Sequence, residues 1–541
     1  MRTDSLATSW RLSILVLLAA AYIGVLLYFS PLPLQDYPNH LARAVIMSDL
    51  MFDQGRQFGS AFELQYLFAS YALGDWILAT MVHYLGTPSA AAIWAVLVFL
   101  SFPLALLAYL RARRIPTDTT ILLLLLSLYL DTDVFLMRGF LSFRLGVAAV
   151  LLALAAIESL RRKGSPWKYL LFCLIVVGAY LTHLAAIAFI AVGLGTTALV
   201  RMYLKSFRLW REAFMWIPLG AVGLWQVLRA SQFRRPDDLV TDSLYWGTVS
   251  GKLIQGASEF CRYLPSKDGL FLACLGVCMV AAVASRGRVT RKDLLQPQVF
   301  EAGVLGIAFL GTFIALPSTY SEASFVDQRA MALAPLFLVL ACLNLRVGAS
   351  RVAGPGALVG AEAVACASAD AGAGVGAASR PFGAAAGWVL WSAAMLLVSL
   401  NLAYLTKHIR AQSEWLAQYR AVLDKLPEHA LVFPVHTAHA EGCVRPYLHA
   451  ASFVVIDRNG LTPYLFSGDT GAPMKYFRYR NRPYAPEEAW YTSHGSEKVD
   501  WQSIAATYPF LLLMKPFDPQ RIPLTSHVIS ENSVATLVAL H

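Results

Sequence analysis

The run Leu12-Ser-Ile-Leu-Val-Leu-Leu-Ala-Ala-Ala-Tyr-Ile-Gly-Val-Leu-Leu-Tyr-Phe-Ser30 carries no charge across 19 residues. It leads straight into Pro31-Leu-Pro-Leu-Gln-Asp-Tyr-Pro-Asn-His-Leu-Ala-Arg43. Roughly 20 apolar residues cross the hydrocarbon core of a bilayer, so the first run is long enough to span. It is too long for a signal-peptide core and lacks a convincing small-residue cleavage site, so a retained anchor is expected. The second stretch holds the first acid beyond that span. Pro38 suits the first turn of a helix, where its missing N–H costs nothing. On that helix Asp36, His40 and Arg43 stand at i, i+4 and i+7, on one face. Two readings stand side by side. The trio is a catalytic edge at a membrane surface, or Asp36 is an N-cap with His40 and Arg43 solvated.

Composition supports the membrane assignment for the whole chain. Of 541 residues, 57% are hydrophobic and 14% charged, with a mean hydropathy of +0.54. Soluble domains carry about a quarter charged residues, so most of this chain must lie in lipid. The formal charge of +10 does not point to nucleic acid, because the clustered Arg and Lys stand between apolar runs, where the positive-inside rule places them. The seven cysteines are scattered and form no CxxC pair or zinc spacing. His436, His439, Cys443 and His449 match no firm zinc spacing either.

Further apolar segments recur at about 64–86, 89–110, 118–134, 139–158, 167–183, 184–204, 213–229, 268–285, 297–316, 329–346 and 387–406. Basic clusters at Arg111–Arg114, Arg161–Lys163, Arg201–Arg211 and Arg286–Lys292 all belong on the cytoplasmic side. Arg2 and Arg11 place the N-terminus there too. If 64–86 and 89–110 both crossed, Arg111 to Arg114 would fall outside. The segment 64–86 carries Asp75 and His83, so it is expected to lie in the interface. That leaves about 11 spans, a cytoplasmic N-terminus and an exported C-terminal part. A spanning 64–86 is the alternative.

The expected domains follow from this topology. Residues 1–406 form the membrane part, with an exported first loop at 31–88 that holds interfacial helices. Residues 347–386 form an Ala/Gly-rich flexible cytoplasmic loop. From 407 to 541 charge, Pro, Asn and Gly return. Ala430–Val435, Ser452–Asp457 and Tyr508–Met514 are expected as strands, and Glu414–Leu426 as a helix, which makes a small exported α/β domain.

Several ionisable groups converge on the exported side. They are Asp131 and Asp133 in a short turn, Arg138 and Arg144 after it, His183 between two apolar runs, and Glu322, Asp327 and Arg329 in one loop. The loop Ala230–Asp268 adds Arg234, Arg235, Asp237, Asp238, Asp242 and Glu259. Ionisable groups near lipid are costly and face a cavity or one another, so the cluster marks a candidate site. Each residue has a plainer role as well. The two aspartates are also helix caps, His183 a satisfied interfacial histidine, and Arg138 and Arg329 headgroup anchors.

In layout the chain resembles the GT-C class of membrane glycosyltransferases. Gln35-Asp-Tyr-Pro-Asn-His40 stands where those enzymes carry an acidic first-loop motif. Arg138-Gly-Phe-Leu-Ser-Phe-Arg-Leu-Gly146, Tyr180-Leu-Thr-His183 and Asp327-Gln-Arg329 are similar to segments in bacterial members. The chain departs in having one acid in the first motif where several members have an adjacent pair. The resemblance implies a multi-pass α-helical membrane protein, a GT-C-like bundle of about 11 spans with a small C-terminal exported α/β domain, in the inner (plasma) membrane of a bacterial envelope. It implies transfer of a sugar from a polyprenyl-phosphate donor to a hydroxyl of a glycan, lipid or protein acceptor, with inversion. Asp36 would be the general base with His40 beside it. Arg329, Arg138 and His183 would bind the donor phosphate. Asp131, Asp133 and Asp327 would orient the acceptor or a divalent cation (Mg or Mn), which the sequence does not require. A lipid or polysaccharide transporter and a non-catalytic scaffold whose exported tail binds a partner are the competing classes; membrane lipids are expected partners and nucleic acid is not.

Overall fold

The computed structural model describes residues 2–65, 68–232, 244–252, 290–320, 326–352, 382–436, 447–466, 476–485, 500–517 and 525–540, with a few single positions between them. The chain is a helical, membrane-embedded protein. Among the described residues seven helices are long and apolar enough to cross a bilayer: 8–28, 87–112, 141–162, 184–203, 297–315, 328–345 and 387–423. Some expected spans are represented by shorter helices. The segment at 118–134 is α5 (Thr117–Asp131) and that at 167–183 is α8 (Pro166–Thr182). At 1.5 Å per residue the 15 residues of α5 reach about 22 Å, less than the roughly 30 Å of hydrocarbon. The segment at 213–229 lies in the longer α10 (Leu209–Gln232), and 268–285 lies outside the described residues.

The first apolar run is α1 (Arg2–Tyr28), which packs on α4 (Thr87–Ala112) and α5. Between them lie α2 (Tyr37–Phe52), β1 (Phe62–Leu64) and α3 (Ala72–Leu85). At 14 residues α3 is shorter than the roughly 17–25 residues of a spanning helix. The short α6 (Val134–Met137) leads into α7 (Leu141–Arg162), and α7 packs on α4, α8 and α9 (Leu184–Tyr203). Gly146 makes the last contact close, since a Cβ there would stand 3.1 Å from the His183 Cβ. Near the far end of α7, Arg113 bridges Glu158 and Glu301, which ties α4 to α7 and to α11 (Pro297–Ala315). Next comes α12 (Ala334–Val352), so helix continues into the stretch expected as a loop from 347, while 353–381 lie outside the described residues.

The next helix, α13 (Phe382–Leu423), runs 42 residues without a break and contains position 407. Beyond it β5 (Val432–Val435) pairs in parallel with β7 (Phe510–Met514). β7 pairs antiparallel with β9 (Ala535–Leu540), and β8 (Ser526–Glu531) closes the edge. Two other small pairings occur. β2 (Leu244–Tyr245), β3 (Thr319–Tyr320) and β4 (Ala323–Ser324) form one, and β1 pairs with β6 (Phe477–Tyr479) in the other. The expected strand at Ser452–Asp457 is a helix, α14 (Phe453–Arg458). Its β-branched run is overridden by packing on α2 and by Asn459, whose left-handed conformation (φ 49°) ends the helix.

The C-terminal segment packs into the membrane part. β1 lies antiparallel to β6, with Phe62 opposite Tyr479 and Leu64 opposite Phe477. Val444, Val455, Leu465, Tyr476 and Phe477 join the same buried cluster as Tyr37, Leu41 and Phe62.

Candidate active site

The loop before α2 is held by backbone hydrogen bonds to the end of α6. The Gln35 N–H donates to the Met137 carbonyl at 3.1 Å and the Asp36 N–H to the Arg138 carbonyl at 3.0 Å. Gly139 permits this approach. Its φ is +76°, and a Cβ would sit 2.8 Å from the Tyr37 nitrogen and 2.9 Å from that of Asp36. Two motifs about a hundred residues apart in sequence therefore meet through their backbones.

Asp36 occupies the N-cap position of α2, yet its carboxylate makes no capping hydrogen bond. The side chain faces inward and the residue is 7% exposed. Gln35 Nε2 donates to Oδ1 at 3.3 Å, and His449 Nε2 lies 3.5 Å from the same oxygen. Burial pushes this carboxyl up to about 7, against the opposing pull of the Gln35 hydrogen bond and of Arg138, Arg43 and Arg329. A carboxylate so poised can take a proton near neutral pH.

The other two members of the helical face point elsewhere. Neither is solvated. Arg43 is fully buried and clamps Asp75 with Nε to Oδ2 at 2.5 Å and Nη2 to Oδ1 at 2.8 Å. The Tyr476 hydroxyl donates to the same carboxylate. Burial alone would raise Asp75, but Arg43 overrides it and holds the carboxyl well below the usual range. His40 Nδ1 accepts from Arg43 Nη2 at 2.7 Å, and burial lowers its pKa, so the imidazole is neutral with its proton on Nε2. His40, expected to serve catalysis directly, is bound to this structural pair.

Arg329 stands in a short 3-10 turn, Gln328–Ala332, with its guanidinium over the rings of Phe140 and Phe143 at 5.6 and 5.8 Å. Its Nη1 lies 3.0 Å from His183 Nε2. His183 is the N-cap of α9, and the Ala185 N–H points at its Nδ1 from 3.1 Å. Both ring nitrogens thus face N–H groups, while a neutral imidazole has one acceptor nitrogen. One of the two contacts sets donor against donor. An anion inserted between His183 and Arg329 would turn that conflict into two hydrogen bonds. Arg138, also buried, completes the positive surround of Asp36.

The three remaining expected aspartates are engaged by other groups. Asp131 and Asp133 both pair with Arg144, at 2.7 Å for Asp133, and Asp133 caps α6 through the Leu136 N–H at 3.0 Å. Asp327 is buried, accepts from Ser318 Oγ at 2.7 Å and from its neighbouring Gln328 N–H at 2.8 Å, and lies 3.5 Å from Lys252 Nζ. It anchors the turn that carries Arg329. Glu322 and the expected set Arg234, Arg235, Asp237, Asp238, Asp242 and Glu259 lie outside the described residues. Among the described residues no group of three or more His, Cys, Asp or Glu side chains is arranged to hold a metal ion.

His449 is the residue the sequence did not single out for this site. Asn39 Nδ2 lies 3.4 Å from its Nδ1, and Asn39 also bonds the Tyr464 carbonyl and the Phe466 N–H. With Nδ1 accepting from Asn39, the Nε2 proton is directed at Asp36. No local pattern could announce a contact between residues 410 positions apart. No protein-family model matches the chain, and no curated protein matches it.

Proposed function

We propose that this chain is a membrane glycosyltransferase of GT-C type that moves a sugar from a polyprenyl-phosphate donor to an acceptor hydroxyl, with inversion. The observation that carries the reading is a buried carboxylate, Asp36, raised toward neutrality and surrounded by arginines from three separate elements. In the proposed step Asp36 accepts the acceptor's hydroxyl proton. The acceptor oxygen bonds the anomeric carbon, the bond from that carbon to the phosphate oxygen breaks, and polyprenyl phosphate leaves with the electron pair. Arg329, Arg138 and His183 stabilise the charge that grows on the phosphate. His40 acts on the Arg43–Asp75 pair rather than on substrate. Asp131, Asp133 and Asp327 shape the site through Arg144 and the Arg329 turn.

The topology that suits this chemistry has about 11 spans, a cytoplasmic N-terminus, and Asp36 on the exported face of the inner membrane beneath a C-terminal α/β domain. The test is transfer by the purified full-length protein supplied with native lipid-linked sugars, with Asp36 intact and as Asp36→Asn. Loss of transfer by the variant, with lipid donor still bound, supports the proposal. Full transfer by the variant removes Asp36 from the chemistry. Movement of intact lipid-linked sugar without transfer would favour a flippase.

A further inference from the structure

The basic end of α7 holds a second candidate binding site. Arg144 meets Asp131 and Asp133 near one end of this helix, and Arg161 stands 17 residues on, about 26 Å away along the axis. There a cavity of about 310 Å³ opens between the α7–α8 turn and α10, lined by Leu160, Arg161, Tyr169, Arg211, Phe214 and Met215 among others. Its walls are mainly apolar and aromatic, and its charged groups are arginines.

Two observations identify the occupant. The first is charge. From Glu158 to Glu212 the chain carries eight Lys or Arg and only those two acids. Both acids are already engaged: Glu158 by Arg113, Arg162 and Arg201, and Glu212 by Arg161 at 2.5 Å. Of these cations Arg161 and Arg211 line the cavity; Arg161 is paired with Glu212, while Arg211 is exposed and bonded to the Arg161 carbonyl at 3.2 Å. The second is depth. Trp167 and Trp210 each adjoin a lining residue and are 73% and 78% exposed. Exposed tryptophans beside spanning helices mark the headgroup level of a bilayer.

We propose that this cavity binds an anionic phospholipid, with the headgroup phosphate at Arg211 and an acyl chain along Leu160, Phe214 and Met215. An apolar wall beside an exposed arginine suits a lipid better than a soluble phosphate, which would leave that wall wet. The site stands apart from Asp36 and does not depend on the reaction proposed there.

The experiment uses the full-length protein in a neutral detergent and follows its unfolding temperature against short-chain phosphatidylglycerol, phosphatidylcholine of the same chain length, and inorganic phosphate. Only phosphatidylglycerol is expected to stabilise. Arg211→Gln should weaken its half-saturation by about fivefold, the effect of one cation near a charged lipid. Arg111→Gln, which removes the same charge from the end of α4, should leave it unchanged. Because Arg211 is exposed, its replacement does not threaten folding. Equal stabilisation by phosphatidylcholine or by inorganic phosphate would overturn the proposal. So would an undiminished response in Arg211→Gln, or an equal loss in Arg111→Gln.

Discussion

His449 Nε2 lies 3.5 Å from Asp36 Oδ1, so a residue of the C-terminal segment helps to form the environment of the carboxylate at the start of α2. Asn39, one turn along α2, is 3.4 Å from the other ring nitrogen and directs the proton of His449 toward Asp36. A donor aimed at a carboxylate favours its charged form. If Asp36 is the base, His449→Ala should move the acid limb of the transfer–pH profile upward, by less than the about 0.7 pH unit of a full ~1 kcal/mol hydrogen bond, because the contact is long. His449→Gln, which keeps a donor, should restore part of the shift. A profile unmoved in both variants would show that His449 only packs.

Asp36 carries a stability prediction of its own. Burial raises its carboxyl from 3.8 to about 7, so between those values the folded chain binds more protons than the unfolded one. Folding stability should therefore fall as pH rises through that window, and the cost is complete above it. Asp36→Asn removes the cost. The variant should match the wild type near pH 4 and exceed it at pH 8 by on the order of a few kcal/mol. Thermal unfolding in detergent at both pH values measures this, and identical slopes for the two proteins would refute it.

The Arg43–Asp75 pair behaves in the opposite sense. Asp75 is held low, so its contribution is present above the ordinary carboxylate value and is lost as pH falls below it. Asp75→Asn sets a buried guanidinium against a neutral amide, and a loss of about 3–5 kcal/mol is expected. The double variant Arg43→Gln/Asp75→Asn should be less damaged than the sum of the single changes. Additive losses in a double-mutant cycle would argue against direct coupling.

Gly139→Ala tests the join between the two motifs. The added methyl would meet backbone atoms of Tyr37 and Asp36, at a glycine with φ +76°. Backbone cannot move aside as a flexible side chain can, so a loss of about 2–3 kcal/mol is expected. Gly178→Ala, where a Cβ meets nothing within 4 Å, is the matched control for measured unfolding.

The conflict at His183 predicts an anion effect. Inorganic pyrophosphate, as a mimic of lipid-linked phosphate, should raise the unfolding temperature of the wild type, and Arg329→Gln should abolish the rise. Equal protection in Arg329→Gln would mean that the anion binds at another place.

Much of the site was legible because the signals are local. A proline at the start of α2, a helical repeat of four and three, and an aspartate three residues before the Leu136 N–H act within a turn or two of chain, and the structure contains each of them. Arg138, His183 and Arg329 stand out because charge near apolar runs is costly. The helical face at Asp36, His40 and Arg43 was also readable, but not its division of labour.

By itself the sequence determined a helical membrane protein and where its charged residues fall relative to the apolar runs, since transfer of each side chain between water and lipid depends on that side chain alone. Only the tertiary structure decided that Arg43 is bound by Asp75, that Asp131 and Asp133 belong to Arg144, and that His449 meets Asp36. It also made a helix of Phe453–Arg458, whose β-branched residues favour a strand. These outcomes depend on which elements pack together. A buried charge takes the counter-charge that folding brings near, however far away it lies in the chain.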